Sequence, residues 1–543
     1  MDLQPSQTEV QSHLLRVPTE VLLHISSYLS TPDYGRFRTV CRRIEESLSQ
    51  AFAREYFTKR QFMFTEFSLQ ALVDISKSKF GSNMTYLMIS VERPRLFGFS
   101  HLGANFNNQD PEQALKRNKF CEECTSHQTL ISSGQDVEFL TEALRNLPRL
   151  RTIGLRDFNS RGRNRDGDNS DWSTYGVPTF LKETNSYPDR PRFHQGSSSM
   201  SQERDISYIS HVFSAILRAL GKAKEVHQAP GLEVILRGCS LPPQALNIPQ
   251  YLMPTVSPVL RDLKVLFLDL GQVIPQSLAI NNQGRFEGFT YTGYMLAKFL
   301  SMTPSLKHLR FGFRNCSPDE AKGILQWFSQ VPITSGLPLN TPQNLDSMQE
   351  RFPKLLAPEF PHLEKLEFGF VTIELPLLLS VLKRYKSTLR VISLHKVTLA
   401  NPPHQASCKV NLWSKLFGQF TRLGLKLDGI RLSRVRQKYN ADPLAVEFKC
   451  QNHGKSSCKE WYGFDLERAS QEFIDSMVID WPEDDEMEDD EISSEGTVSP
   501  LQSPLSLTPL LIIYTEEFVS EDEMDSDLDA GDDDDDEDDD VTS

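Results

Sequence analysis

The chain has 543 residues, 39% of them hydrophobic and 10% aromatic, with eight cysteines and a formal net charge of -15, which predicts two or three folded units plus linkers. Met1 to Val10 carries acids and polar residues where a signal peptide needs a basic and then an apolar stretch, so a secreted chain is not expected and the cysteines read as reduced thiols in a cytoplasmic and/or nuclear protein. The longest apolar runs, Leu375 to Leu382 and Pro509 to Tyr514, fall far short of the roughly 20 residues of a membrane helix, so no membrane partner is expected.

The net charge hides a strong asymmetry. Every charge from Glu483 onward is negative, nine acids from Glu483 to Glu495 and seventeen from Glu516 to Asp540. Removing these 26 from 73 leaves 47 acids against 58 Lys and Arg, so residues 1–482 carry about +11.

After a flexible start at residues 1–12, a helical module is expected over 13–58. Val21, Ile25, Tyr28 and Leu29 follow the i, i+4, i+7, i+8 rule for one buried helix face. Pro18 suits a helix start, and Pro32 in Thr31-Pro32-Asp33 predicts the end of that helix. The segment reads Leu14-Leu15-Arg16-Val17-Pro18-Thr19-Glu20, then Ile25, Leu29, Pro32-Asp33-Tyr34 and Val40-Cys41-Arg42-Arg43-Ile44. In these words and their spacing it resembles an F-box, with Val17, Tyr34 and Ile44 as apolar replacements for the family's usual residues.

That resemblance implies a three-helix module that docks on the Skp adaptor, which joins it to a cullin scaffold and a RING protein. Leu15, Val17, Pro18, Leu22, Ile25 and Leu29 occupy the positions that the family uses for docking and for the module's own core. Such docking is helix-in-groove recognition, in which apolar anchors leave water together.

Residues 59–482 repeat a phrase, an apolar helix running into Leu-x-x-Leu-x-Leu. The copies are Leu150-x-x-Ile153-x-Leu155, Leu263-x-x-Leu266-x-Leu268, Leu306-x-x-Leu309-x-Phe311, Leu363-x-x-Leu366-x-Phe368 and Leu389-x-x-Ile392-x-Leu394. Helices are expected before several of them, at Phe139 to Asn146, Tyr294 to Met302 and Leu377 to Tyr385. Stacked copies share a core that no single copy can build, so the expectation is an irregular leucine-rich-repeat-like α/β solenoid. Inserted loops are expected near residues 159–202 and 334–344, and the acidic stretch 483–543 is expected to be disordered, because a block of like charge buries no apolar surface. The fold class is therefore α+β multidomain: a three-helix F-box, this solenoid, and a tail. The alternative is an ordinary α/β domain with Leu-rich strands.

Residues between the repeat leucines are expected to point outward. Arg151, Lys264, Arg310, Lys365 and Arg390 would then form a basic row for an acidic or phosphorylated target. The basic clusters Arg145 to Arg165 and Arg431 to Lys438 lack the aromatic interleaving of a base-stacking surface and read as solvated faces, so nucleic acid is not the expected partner. Cys121-x-x-Cys124-x-x-His127 has zinc-like spacing, and Cys450, His453 and Cys458 offer a distant second half. Reduced thiols are the simpler reading, with Cys41, Cys239, Cys316 and Cys408 as small buried hydrophobes.

No nucleophile elbow, phosphate loop or zinc helix of His-Glu-x-x-His type is present, so neither catalysis nor a cofactor is expected. The resulting functional reading is the substrate-recognition subunit of a cullin-RING ubiquitin ligase, its protein substrate not named by the sequence. The alternative is a protein-interaction scaffold outside any ligase, associated with nucleic acid through the basic body.

Overall fold

The computed structural model describes residues 13–95, 110–161, 164–166, 171–191, 199–224, 229–271, 291–330, 358–401, 408–440, 442–450 and 454–482. The chain divides into two units, Met1–Trp481 and Pro482–Ser543. Residues 1–12, the expected loop at 334–344 and the acidic stretch 483–543 lie outside the described residues.

Three helices open the chain: α1 (Thr19–Ser27), α2 (Thr31–Arg38) and α3 (Arg42–Phe57). Pro32 does not terminate α1. The chain leaves α1 at Tyr28, and Pro32 lies in the first turn of α2, where its missing N–H would have had no partner. Ser30 caps α2 by accepting the Asp33 N–H. Leu22, Tyr34, Ile44, Leu48 and Tyr56 form the core of this module, with Val17, Leu29, Phe37 and Phe52 packed against it.

Ten strands then build one sheet whose spatial order follows the chain: Lys59–Met63, Tyr86–Ser90, Thr152–Arg156, Gly231–Ile235, Val265–Gly271, His308–Asn315, Lys365–Gly369, Val391–His395, Gly429–Ser433 and Cys458–Tyr462. All neighbours are parallel except the last pair, where Cys458–Tyr462 runs antiparallel to Gly429–Ser433. At the first edge, Met63 donates to the Tyr175 carbonyl (3.0 Å) and Tyr175 donates to the Gln61 carbonyl (2.9 Å).

The repeated phrase sets the register. Leu87, Ile153, Leu232, Leu266, Leu309, Leu366, Ile392 and Ile430 pair directly across the sheet. Two residues on, Ile89, Leu155, Val234, Leu268, Phe311, Phe368, Leu394 and Leu432 form a second row, and every member of both rows is 1% exposed or less. Three strands outside the five expected copies share this register, including Leu427-x-x-Ile430-x-Leu432, which fits the phrase in full. In the other two, Met84 and Ala229 replace the first leucine and weaken the pattern.

A carbonyl ladder fixes the strand starts. The Thr85 carbonyl accepts N–H groups from Arg151 and Thr152, that of Lys264 from Lys307 and His308, that of Glu364 from Arg390 and Val391, and that of Arg390 from Asp428 and Gly429. Gly154 is required here: a Cβ at that position would lie 1.8 Å from the Glu233 carbonyl oxygen of the next strand.

Helices Gln135–Arg145, Tyr291–Leu300 and Leu375–Tyr385 lie at the three places expected, each starting a few residues earlier. Their buried faces join the strand leucines and those of Glu66–Lys77, Ser199–Ala223, Met253–Asp262, Pro318–Ser329 and Leu412–Leu423 in one hydrophobic core. A smaller second sheet contains the short parallel strands Thr372–Glu374, Thr398–Ala400 and Arg436–Tyr439.

The expected loop near 159–202 is only partly one. Its described residues include a strand pair, Ser160–Arg161 with Asp171–Trp172, a turn at Asn164–Asp166, and the helix Val177–Thr184. Asn185 closes that helix in the left-handed region, and Phe180 is buried against Phe120, so local turn chemistry and one aromatic contact order a stretch that lacks long periodicity.

Candidate functional site

The apolar row expected to be buried on α1 faces outward. Val21 is 45% exposed, Ile25 38% and Tyr28 75%, while Leu22 and Ser26 on the neighbouring stripe are buried. Alternation at helical spacing gave α1 two apolar stripes, and packing selects the one with Leu22, which meets Tyr34, Ile44 and Leu48. Of the adaptor-docking candidates, Pro18 and Ile25 are therefore exposed, Val17 and Leu29 half-buried, and Leu22 belongs to the module's core. The Leu15 side chain lies outside the described residues. Val40 adds a further exposed apolar group at 63%. His24 and Tyr28 meet edge-on at 5.1 Å between ring centroids and extend the same surface.

One turn of the body holds this module. The Arg165 guanidinium pairs with Glu55 of α3 and donates to the Ser26 and Leu29 carbonyls at 2.7 and 2.9 Å, lying 4.5 Å from the Tyr34 ring centroid. Asp166 accepts from the Thr31 N–H at 2.9 Å, which occupies an otherwise unpaired donor at the start of α2. A carbonyl of the last turn of α1, the Leu29 carbonyl just past it, the first amide of α2 and the flank of α3 thus meet two adjacent side chains. Arg165 was expected on a solvated face. It is instead a half-buried linker, while Arg156 is buried and donates to the Tyr86 hydroxyl at 3.1 Å.

The five expected target-binding cations do not form one row. Arg151, Lys264 and Arg390 lie just before their strands, within the carbonyl ladder. Lys365 starts its strand, and Arg310, only 7% exposed, occupies the middle of its own. Outward alternation begins at the second of the two residues between the leucines, so the first one belongs to the turn. Lys365 lies 3.1 Å from Glu367, which also bonds His308 at 2.6 Å. Arg431, in the other basic cluster, is paired with Glu460 at 2.7 Å.

A different row stands where the strands end. Phe370, Lys396 and Arg434 each follow the last residue of adjacent strands, with φ of 58°, 51° and 47°. Each N–H donates across to the neighbouring chain segment: Phe370 to the His395 carbonyl (3.0 Å), Lys396 to Ser433 (2.8 Å) and Arg434 to Ser457 (2.8 Å). The left-handed turn drives the next residue, Val371, Val397 or Val435, into the core and starts the second sheet. For side chains other than Gly or Asn this conformation costs about 1–2 kcal/mol each. The Arg314 guanidinium stacks 4.1 Å from the Phe370 ring centroid, with Lys396 Nζ at 5.2 Å.

Cys121, Cys124 and His127 lie on the helix Pro111–Ser133. Burial pushes the Cys124 thiol up to about 12 and holds the His127 imidazole down at about 4, with Arg93 adding to the latter. His453 lies outside the described residues, while Cys458 is on the last strand and Cys450 is exposed. Among the described residues no group of three His, Cys, Asp or Glu is arranged to hold a metal ion. Cys408 is exposed, contrary to its expected burial, while Cys239 is buried. Sequence reasoning also missed a buried charge cluster in which Arg93 pairs with Asp205, and Arg95 bridges Asp205 and Asp189 at 2.8 and 2.9 Å.

Among the described residues, no helix is long and apolar enough to cross a membrane. Residues 14–53 match the family model described as F-box-like. Comparison with curated proteins gives no match for the chain.

Proposed function

We propose that this chain, an F-box protein by the domain at residues 14–53, is the substrate-recognition subunit of an SCF-type cullin-RING ubiquitin ligase. In this reading the F-box-like helices bind the Skp adaptor and the body holds target proteins. The ligase supplies the chemistry, and this chain needs no catalytic residue or cofactor of its own. The observation that carries the reading is the uncovered row of Val21, Ile25 and Tyr28 within the matched span. Three large apolar groups spaced on one helix face gain free energy by leaving water together, at about 25 cal/mol per Å² of apolar surface buried.

The body supports the receptor half of the reading as a leucine-rich-repeat-like solenoid: eight units in shared register, each a strand backed by a helix and none with a core of its own. Its site of action is the cytoplasm and/or nucleus. Affinity purification of the full chain from cell extract is expected to recover the Skp adaptor and a cullin. Recovery of neither overturns the proposal in favour of an interaction scaffold outside any ligase.

A further inference from the structure

Three cations, Arg314, Lys396 and Arg434, gather at or just past the carboxyl ends of neighbouring strands around His395, with buried Arg310 behind them in mid-strand. Arg310 and Arg314 come from the sixth strand, Lys396 follows the eighth and Arg434 the ninth. Burial first, and then the fields of Arg310, Lys396, Arg314 and Arg434, push the His395 imidazole down to about 3. Two carboxylates, Glu367 and Asp269, face the inner side of this cluster, Glu367 toward Arg310 and Asp269 toward Arg310 and Arg314. Glu367 bonds His308 and Lys365, and Asp269 is buried and accepts the Leu236 N–H at 2.9 Å. Four cations thus stand against these two carboxylates, and Arg314, Phe370, Lys396 and Arg434 are half-exposed.

The backbone supplies an independent argument. Glycine or asparagine would relieve the left-handed turns after the seventh, eighth and ninth strands, yet Phe370, Lys396 and Arg434 stand there. Backbone strain kept at three adjacent, aligned positions points to the side chains themselves as what is needed. They present one aromatic face flanked by cations, in a line that crosses the strands at about 4.8 Å per step.

We propose that this line, Arg314, Phe370, Lys396 and Arg434, seats an extended acidic segment of the target protein, an inference that rests on the receptor reading above. Carboxylates of the segment would meet the guanidinium and ammonium groups, while an apolar residue between them lies on Phe370. The line runs along the sheet edge, which suits an extended chain better than a single compact anion.

The test uses the full chain and a short fluorescent peptide of alternating Glu and Ala. The wild type should bind it with strong salt dependence. The double variant Lys396→Gly with Arg434→Gly should bind at least about tenfold more weakly, while its unfolding midpoint stays unchanged or rises, because Gly adopts positive φ without clash. Arg314→Gln should weaken binding in the same way. Unchanged affinity in these variants overturns the inference, as does a lowered midpoint in the double variant, which would assign the side chains to holding the sheet together. Tighter binding of single-stranded DNA than of the peptide also overturns it. Adaptor capture in parallel separates the two claims: an adaptor-bound chain that ignores the peptide removes only this inference, and a peptide-binding chain without adaptor removes only the receptor reading.

Discussion

Arg165 grips Glu55 through two hydrogen bonds, Nε to Oε1 at 2.5 Å and Nη2 to Oε2 at 2.6 Å, although 110 residues separate them. The Arg side chain is only 10% exposed. Two-pronged pairing of this kind fixes orientation as well as distance. The first three helices are thereby held in one pose on the body, with α1 at a set distance from its strands.

Arg165→Ala is accordingly expected to loosen that pose. It leaves Glu55 and the Ser26 and Leu29 carbonyls without their donor, at a cost of about 2–3 kcal/mol. Hydrogen exchange at the end of α1 and the start of α2 should accelerate while the core strands keep their protection. Unchanged exchange there would show that Arg165 does not hold the module.

Substitutions on the two stripes of α1 should separate. Ile25→Asp, on the exposed stripe, is expected to abolish adaptor capture, alone or with Pro18→Ala, and to change stability by no more than about 0.5 kcal/mol. Leu22→Ala, in the core of the module, should cost about 2–5 kcal/mol. Co-purification together with denaturant unfolding distinguishes them, and normal adaptor yield from the Ile25→Asp chain would dismiss the docking row.

Gly154→Ala tests the register. Its Cβ would meet the Glu233 carbonyl at 1.8 Å, so the third and fourth strands must separate. A loss of several kcal/mol is expected, far above that of an ordinary surface change. A wild-type unfolding midpoint for this variant would contradict the close strand packing described here.

Acid should weaken the body through two imidazoles, the buried His127 and the half-buried His395. His395 is held at about 3 and His127 at about 4, each by burial first and then by neighbouring cations. Both are depressed below the ordinary value near 6.5. Their contribution is fully present above about pH 6.5 and is lost as pH falls toward the folded-state values, because the unfolded chain takes up protons that the folded one refuses. Urea midpoints measured from pH 7 to pH 4 should fall, and His395→Gln should flatten part of that slope.

The F-box-like words were legible because a helix start is local grammar, as at Pro18, whereas Pro32, read as a stop for α1, opens α2 instead. The strand leucines were legible for a similar reason, since an apolar row of fixed spacing must face a core. What was not legible depends on phase or on distance. Period alone does not say whether Val21 or Leu22 turns inward, and Leu-x-x-Leu does not reveal that Arg151 and Lys264 belong to the turn while Arg310 belongs to the strand. Arg165 meets Ser26 across 139 positions, a contact without a local signature. The row at Phe370, Lys396 and Arg434 depends on backbone dihedrals that these residue types ordinarily avoid, so composition argued against it.

The ten-stranded sheet is finished differently at its two ends. A row of parallel strands, left bare, offers unpaired amides and carbonyls on which another molecule's strand can grow. Here the first strand trades two backbone bonds with Tyr175, and the last neighbour, Cys458–Tyr462, doubles back against its predecessor. A newcomer at that end would meet a strand of reversed polarity, out of step with the helix-backed units that the sheet stacks. The two ends of the sheet thus present edges unlike each other and unlike the parallel seams between the inner strands.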